Sequence, residues 1–151
     1  MDIDTAIKTI HKMAISTKTV INMMYTTRVL EEAVSAVLKP YDLTIPQYNV
    51  MRILRGQKGK PANLSTIQER MVDKNSNTTR LVDKLIRKGW AERSVCEANR
   101  RKVEIVITED GLEILKELDP ITENNNKEIL KNLSEEQILT LNELLDTLRL
   151  T

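Results

Sequence analysis

Near the start of the chain, apolar positions recur at three- and four-residue steps. Val20, Met23, Met24, Thr27, Leu30, Val34, Val37, Leu38 and Tyr41 form one stripe, the spacing of an amphipathic helix. Upstream, Ile3, Ile7, Ile10 and Ala14 continue a similar spacing. Ser16, Thr17 and Thr19 interrupt it, so one long helix and two helices both fit the pattern. Pro40 stops the run, because the residue before a proline is driven out of the helical region. A second helix opens at Thr44, which caps it, with Pro46 in the first turn and Gln47 completing a capping box. It continues through Tyr48, Val50, Met51, Ile53 and Leu54, and Gly56 and Gly59 end it. Lys60, Pro61 and Ala62 make a short extended link. Ser65 to Gln68 is another capping-box pattern and predicts a short helix ending near Met71.

After the polar link Val72-Asp73-Lys74, the spacing predicts a helix over 75–88, capped by Asn75 or Ser76. Thr78, Leu81, Val82, Leu85 and Ile86 face inward, which leaves Asn77, Thr79, Arg80, Asp83, Lys84 and Arg87 outward; Gly89 terminates the helix. Two short helices joined by a tight polar link, the second polar at its N-terminal end, are the pattern of a helix-turn-helix. Strand-like runs at 93–96 and 102–108 then flank a polar tip, 97–101, that carries Arg100 and Arg101. Thr108 caps the next helix, with Glu109 and Asp110 suited to its dipole. That helix holds Leu112, Ile114, Leu115, Leu118 and Ile121, and, beyond three consecutive asparagines, Ile129, Leu130 and Leu133. The last helix begins at the capping box Ser134 to Gln137 and is predicted to bury Ile138, Leu141, Leu144, Leu145 and Leu148. The predicted fold is mainly α with a small β-hairpin wing. A winged helix-turn-helix lobe spans 44–107, between an N-terminal helical region at 1–43 and C-terminal helices at 108–151.

The lobe is expected to close a core of its own, which leaves three amphipathic helices at the chain ends. Alone in water they would expose apolar surface, at roughly 25 cal/mol per Å². Pairing with a second copy covers it and sets two copies of the helix-turn-helix in two-fold order. The alternative is a monomer whose terminal helices fold onto their own middle.

Composition narrows the function classes. With 40% hydrophobic and 30% charged residues in 151, one folded domain with an added oligomerisation element fits. Aromatics are 3% and Phe is absent, so aliphatic residues and Met must build the core. The acids in the first residues and the lack of an apolar run after them fit neither a leader peptide nor a membrane span, which predicts a cytoplasmic protein. One cysteine, Cys96, leaves no thiolate zinc site or internal disulfide, and one histidine, His11, leaves no histidine-based catalytic set. Neither a glycine-rich phosphate loop nor a motif-spaced acid cluster is present, so no enzyme, cofactor or metal site is predicted. The net charge of +1 conceals a strong asymmetry. Residues 47–107 hold 14 Lys and Arg against 6 Asp and Glu, a net +8, and the remainder holds 9 against 16, a net −7. A basic middle between acidic ends points to a nucleic-acid surface in the middle. A winged-helix module that binds protein without reading DNA sequence is the alternative, and the +8 counts against it.

Several stretches resemble the multiple-antibiotic-resistance regulator (MarR) family. KPYDLTIPQYNVMRIL resembles its linker and second helix, SNTTRLVDKLIRKGWAER its recognition helix and entry into the wing, NRRKVEIVITEDGLEIL its wing and following helix, and LSEEQILTLNELLDTL its last helix. The resemblance covers roughly residues 20–150. It implies a dimeric winged helix-turn-helix transcription regulator, often a repressor, that releases double-stranded DNA when a small anionic or aromatic ligand binds. The family usually has Asp before the paired wing arginines, where this chain has Asn99, and Leu-Ala at the centre of the helix before the recognition helix, where it has Ile67-Gln68. An amide at Asn99 keeps a hydrogen bond to tip backbone and loses an ion pair to an arginine. A redox-sensing branch uses a cysteine near the start of the first helix, and this chain has none there.

On such a fold, Ser76, Asn77, Thr79 and Arg80 lie at the end of the recognition helix that enters a major groove, with Lys84 further along. Arginine suits guanine and asparagine suits adenine there. Asn99, Arg100 and Arg101 are the wing candidates, a narrow hairpin with guanidinium groups fitting a minor groove. Thr44, Ser65, Arg87 and Lys88 are candidate phosphate contacts, with capping an equally good account of Thr44 and Ser65. The two-fold dimer implies a pseudo-palindromic site. For the ligand pocket that the resemblance implies between the dimer helices and the DNA-binding lobe, Met23, Met24, Tyr25, Arg28, Tyr48 and Met51 are candidate walls by position, with Arg28 as an anion anchor. Ordinary core packing is the other account of those residues.

Overall fold

A computed structural model describes residues 1–151. Seven helices and one hairpin follow in the order α1 (Ile3–Ala6), α2 (Ile15–Leu38), α3 (Ile45–Gly56), α4 (Leu64–Arg70), α5 (Thr78–Arg87), β1 (Ala91–Cys96), β2 (Asn99–Ile107), α6 (Glu109–Leu130) and α7 (Glu135–Leu148). The N-terminal region is therefore two helices. Asp2 caps α1 through the Thr5 N–H, which holds its carboxyl below the ordinary carboxylate range. Asp4 then ties the short helix to α2 by accepting from Lys18, and that bond holds the ammonium above the ordinary lysine value. Only Ile3 of the early apolar residues is buried, and Ile10 is 90% exposed, so the upstream stripe does not continue the long helix.

Before Pro40 the α-helical run ends at Leu38, and a 3-10 turn, Lys39–Tyr41, leads to Asp42 in the left-handed region. The Thr44–Gln47 capping box forms with both of its bonds, and so does the one at Ser134–Gln137. At α4 the expected box does not form. Asn63 caps instead, accepting from the Thr66 N–H at 2.8 Å, and the Ser65 hydroxyl merely donates to the same Asn63 oxygen at 2.7 Å. At α5 the cap is Asn77 rather than Asn75 or Ser76, and its side chain accepts from the Arg80 N–H at 3.1 Å.

The wing also differs from the expectation in detail. Its strands extend to a two-residue turn, Glu97-Ala98, so Asn99, Arg100 and Arg101 belong to β2 and not to the tip. Pairing runs in register from Ala91 opposite Ile107 to Val95 opposite Val103, then jumps to Cys96 opposite Asn99. Arg100, Arg101 and Lys102 have no partners on β1 and form the bulge of that irregularity. Asn99 accepts from the Arg101 N–H at 3.1 Å, the backbone contact that an amide retains at this position. Across β2, the link at Ala62 adds a bridge to Ile105, with bonds of 2.8 and 2.7 Å.

One core cluster holds the molecule together. Val50, Met51, Leu54, Ile67, Val82, Leu85 and Ile105 come from the lobe, but Leu38 of α2 and Leu115 and Leu118 of α6 are equally buried in it. The lobe thus does not close a core of its own; the flanking helices supply part of it. Arg55 adds a two-pronged ion pair to Asp119 of α6, at 3.0 and 2.9 Å. Gly89, at φ +77°, turns the chain out of α5 in a conformation open to glycine. By contrast α7 buries none of its residues, and α2 buries only Leu38. The leucines expected to be buried by the last helix stay outside, among them Leu144 at 61% and Leu148 at 62% exposure. Nothing within the chain lies over them.

Candidate nucleic-acid interface

The geometry of the helix-turn-helix is set at the turn, residues 71–77. Asn49 of α3 accepts from the Val72 N–H at 2.9 Å. Gln68 of α4 donates to the Lys74 carbonyl at 2.9 Å and accepts from the Thr78 hydroxyl. Asp73 accepts from the Asn75 N–H at 2.9 Å, an Asx turn inside the loop. With its inward face fixed by Thr78, Val82 and Leu85, α5 presents Asn77, Thr79 and Arg80 to solvent from its first turn. Arg80 enters none of the ion pairs, so its guanidinium stands free.

Ser76 does not join that face. Its hydroxyl is buried in the turn and meets no hydrogen-bond partner. Asn77 is at the surface, but its oxygen is spent on the cap, which leaves the amide nitrogen to reach outward. Asp83 faces the wing and takes a bond from Arg93 of β1 at 2.5 Å. Arg100, Arg101 and Lys102 are all exposed on β2, which puts three consecutive cations beside the hairpin's end.

The candidates at the other end of α5 divide. Lys88 is committed: it pairs with the Asp42 carboxylate at 3.2 Å, donates to the Asp42 carbonyl and lies 5.0 Å from the centre of the Trp90 ring. It is therefore not free for a phosphate. Lys84 and Arg87 carry no ion pair and line a cleft of ≈ 1120 Å³ between α2 and the lobe. Apolar Leu30, Val34, Leu43 and Met71 line the same cleft, with Lys39 and Thr44 beside them.

The cleft lies between α2 and the lobe, as the resemblance implies, but its walls are not the residues expected from the sequence. Met23, Met24, Tyr25, Arg28 and Met51 line neither this cleft nor the second one. Met24 and Tyr25 lie on the exposed side of α2, Met51 is fully buried in the core, and Arg28 pairs with Glu31 at 3.4 Å in solvent. Tyr48 alone contributes, to a second cavity of ≈ 690 Å³ between α2, α3 and α6, where Arg52 lies 5.8 Å from the centre of its ring. Sequence reading also missed Asn49 and Asn63, and it gave Gln68 to a capping box rather than to the turn. The signal was the cap- and clamp-forming amide type at half-buried helix positions, which periodicity does not weigh.

Three lobe helices with a tethered turn, followed by a cationic two-stranded hairpin, define a winged helix-turn-helix protein. The model of the MarR family matches residues 43–103, the lobe from the end of the 3-10 turn into β2. The chain is 30% identical over 110 residues to the multiple antibiotic resistance protein MarR of Escherichia coli, covering 72% of this chain and 74% of that one. It is 29% identical over 118 residues to the HTH-type transcriptional regulator PecS of Dickeya dadantii, covering 77% and 70%. The solved structure of BpsR from Bordetella bronchiseptica, whose DNA binding is regulated by 6-hydroxynicotinic acid, shares the fold with a TM-score of 0.80 at 18% identity, covering 91% of this chain and 97% of that one. The chain belongs to the MarR family of transcriptional regulators. No helix is long and apolar enough to cross a membrane.

Proposed function

We propose that the chain works as a homodimer that binds double-stranded DNA at a pseudo-palindromic site and represses transcription until a small ligand releases it. The observation that carries this reading is the joint exposure of free cations on the two parts suited to grooves: Arg80 on α5, and Arg100 and Arg101 on β2. Thr79, Arg80 and the free amide of Asn77 read base edges, while Lys84, Arg87 and the wing supply phosphate or minor-groove contacts. Thr44 serves first as the cap of α3 and Ser65 as a donor to the capping Asn63, with phosphate contact secondary. Asn99 acts through the wing backbone. The unpartnered leucines of α7 and the exposed face of α2 support the dimer.

The cleft between α2 and the lobe suits the ligand. Its apolar wall and the unpaired Lys39 and Arg87 fit a small aromatic anion. Met71, Val72 and Asp73 of the turn border the same space, so a ligand preferring one placement of the turn shifts the population away from the DNA-competent form. BpsR offers a parallel in its response to 6-hydroxynicotinic acid. Selection of bound sequences from random duplexes tests the reading. A recovered inverted repeat with half-site centres about 34–36 Å apart is expected, and recovery of no preferred sequence rejects it.

A further inference from the structure

Gln68 of α4 stands against the start of α5, and its role rests on the reading of α5 as the helix that meets DNA. Both ends of its amide are in use. The nitrogen donates to the Lys74 carbonyl at 2.9 Å, in the middle of the turn, and the oxygen accepts from the hydroxyl of Thr78, the first residue of α5. Thr78 is 6% exposed, so water does not compete for its hydroxyl. One planar group, half-buried on α4, thereby fastens that helix to the turn and to the next helix at once.

The other fastenings do different work. Asn49 holds the start of the turn from α3, and Asn77 caps α5 from within. Lys74 reaches back to the Glu69 carbonyl and leaves α5 untouched. The Ser76 hydroxyl, buried in the same turn, has no partner. Gln68 to Thr78 is the sole side-chain hydrogen bond between α4 and α5.

We propose that Gln68 is a positioning residue for sequence discrimination: it sets the depth and angle at which Asn77, Thr79 and Arg80 approach DNA. Hydrogen bonds to base edges need placement within about 0.5 Å and 10–20°. Phosphate contacts from long flexible Lys and Arg side chains tolerate more. Loosening the first turn of α5 therefore lowers discrimination and spares affinity for DNA of any sequence.

The test compares wild type, Gln68→Ala, Thr78→Val and the double variant on a duplex recovered by selection and on a scrambled duplex of equal length. Q68A is expected to lower the ratio of the two affinities about tenfold, the range of one or two hydrogen bonds. T78V, which keeps the bond to Lys74, is expected to lower it by less than Q68A and the double variant by no more than Q68A, with scrambled-duplex affinity and salt slope unchanged. Gln68→Glu, which keeps the acceptor for Thr78 and loses the donor to Lys74, is expected to fall between wild type and Q68A. If Q68A does not fold, T78V and Q68E carry the comparison. A purely structural role would lower the melting temperature and leave the ratio unchanged well below it. An unchanged ratio, or single effects that add in the double variant, overturns the proposal. A wild-type chain that prefers no duplex overturns the DNA reading itself, which separates the two failures.

Discussion

Arg93 on β1 and Asp83 on α5 meet through a guanidinium–carboxylate bond of 2.5 Å, which ties the wing to the second helix of the helix-turn-helix. The side chains are 41% and 44% exposed, so solvent screens the pair and its worth is below about 1 kcal/mol. Its consequence is local. Arg93→Ala is expected to leave global stability to urea within about 1 kcal/mol of wild type while amide exchange in β1 speeds severalfold. Unchanged exchange would show that the backbone ladder alone holds the wing.

A second junction leaves far less room. An added Cβ at Gly111 would lie 2.4 Å from the Trp90 carbonyl oxygen and 2.8 Å from Ile107 Cγ1. The first of these is backbone and cannot swing aside. Thr108 draws the pieces together, donating to the Gly89 carbonyl at 2.7 Å and accepting from the Gly111 N–H at 3.1 Å. Gly111→Ala is expected to destabilise by about 1–3 kcal/mol, the usual cost of overpacking, measured as a fall in the urea midpoint with unchanged slope. A midpoint within error of wild type would mean that α6 slides without cost.

These junctions show what was legible in the sequence. Where a capping box forms with both of its bonds, as at Thr44 and Ser134, the boundary is readable from the chain. Where cap-forming residues crowd together, local chemistry does not choose. Asn63 caps α4 in place of Ser65, whose expected box partner Gln68 is engaged with Lys74 and Thr78 instead, and Asn77 caps α5 in place of Asn75 and Ser76. The order of elements followed from periodicity, and the position of Arg80 followed from that order, whereas Arg100 and Arg101 lie in β2 beyond the turn rather than at the tip. The cleft did not follow from periodicity. Its walls come from α2, α3, the turn and α5 together, and a periodic stripe tells only which side of one helix is apolar.

The wing yields a prediction that joins geometry to charge. Arg100 and Arg101 stand in the unpaired bulge of β2, with Asn99 holding the Arg101 N–H across it. Arg100→Ala or Arg101→Ala is expected to weaken binding to the selected duplex by about 1–3 kcal/mol, with a shallower salt slope where a phosphate contact is lost. Asn99→Ala removes no charge and is expected to weaken binding less, at an unchanged slope. Wild-type affinity for both arginine variants in a low-salt titration would remove the wing from the interface.

The leucines of α7 are left uncovered by the chain itself. Leu144 and Leu148 are 61% and 62% exposed on a helix that buries none of its own residues, and Val20 and Met24 are exposed at 51% and 67% on α2. Apolar surface of this extent at both chain ends costs free energy in water unless a second copy covers it. Leu144→Glu leaves the core of the single chain untouched, because nothing in the chain packs over that position. It places a charge where a partner's apolar face would lie. Sedimentation at micromolar concentration is expected to give a dimer for wild type and a monomer for L144E, with helical content alike. The monomer engages one half-site at a time, so its affinity for the full site is expected to fall by at least about a hundredfold. A wild-type monomer, or an L144E dimer with undiminished affinity, would place the dimer contact elsewhere or dispense with it.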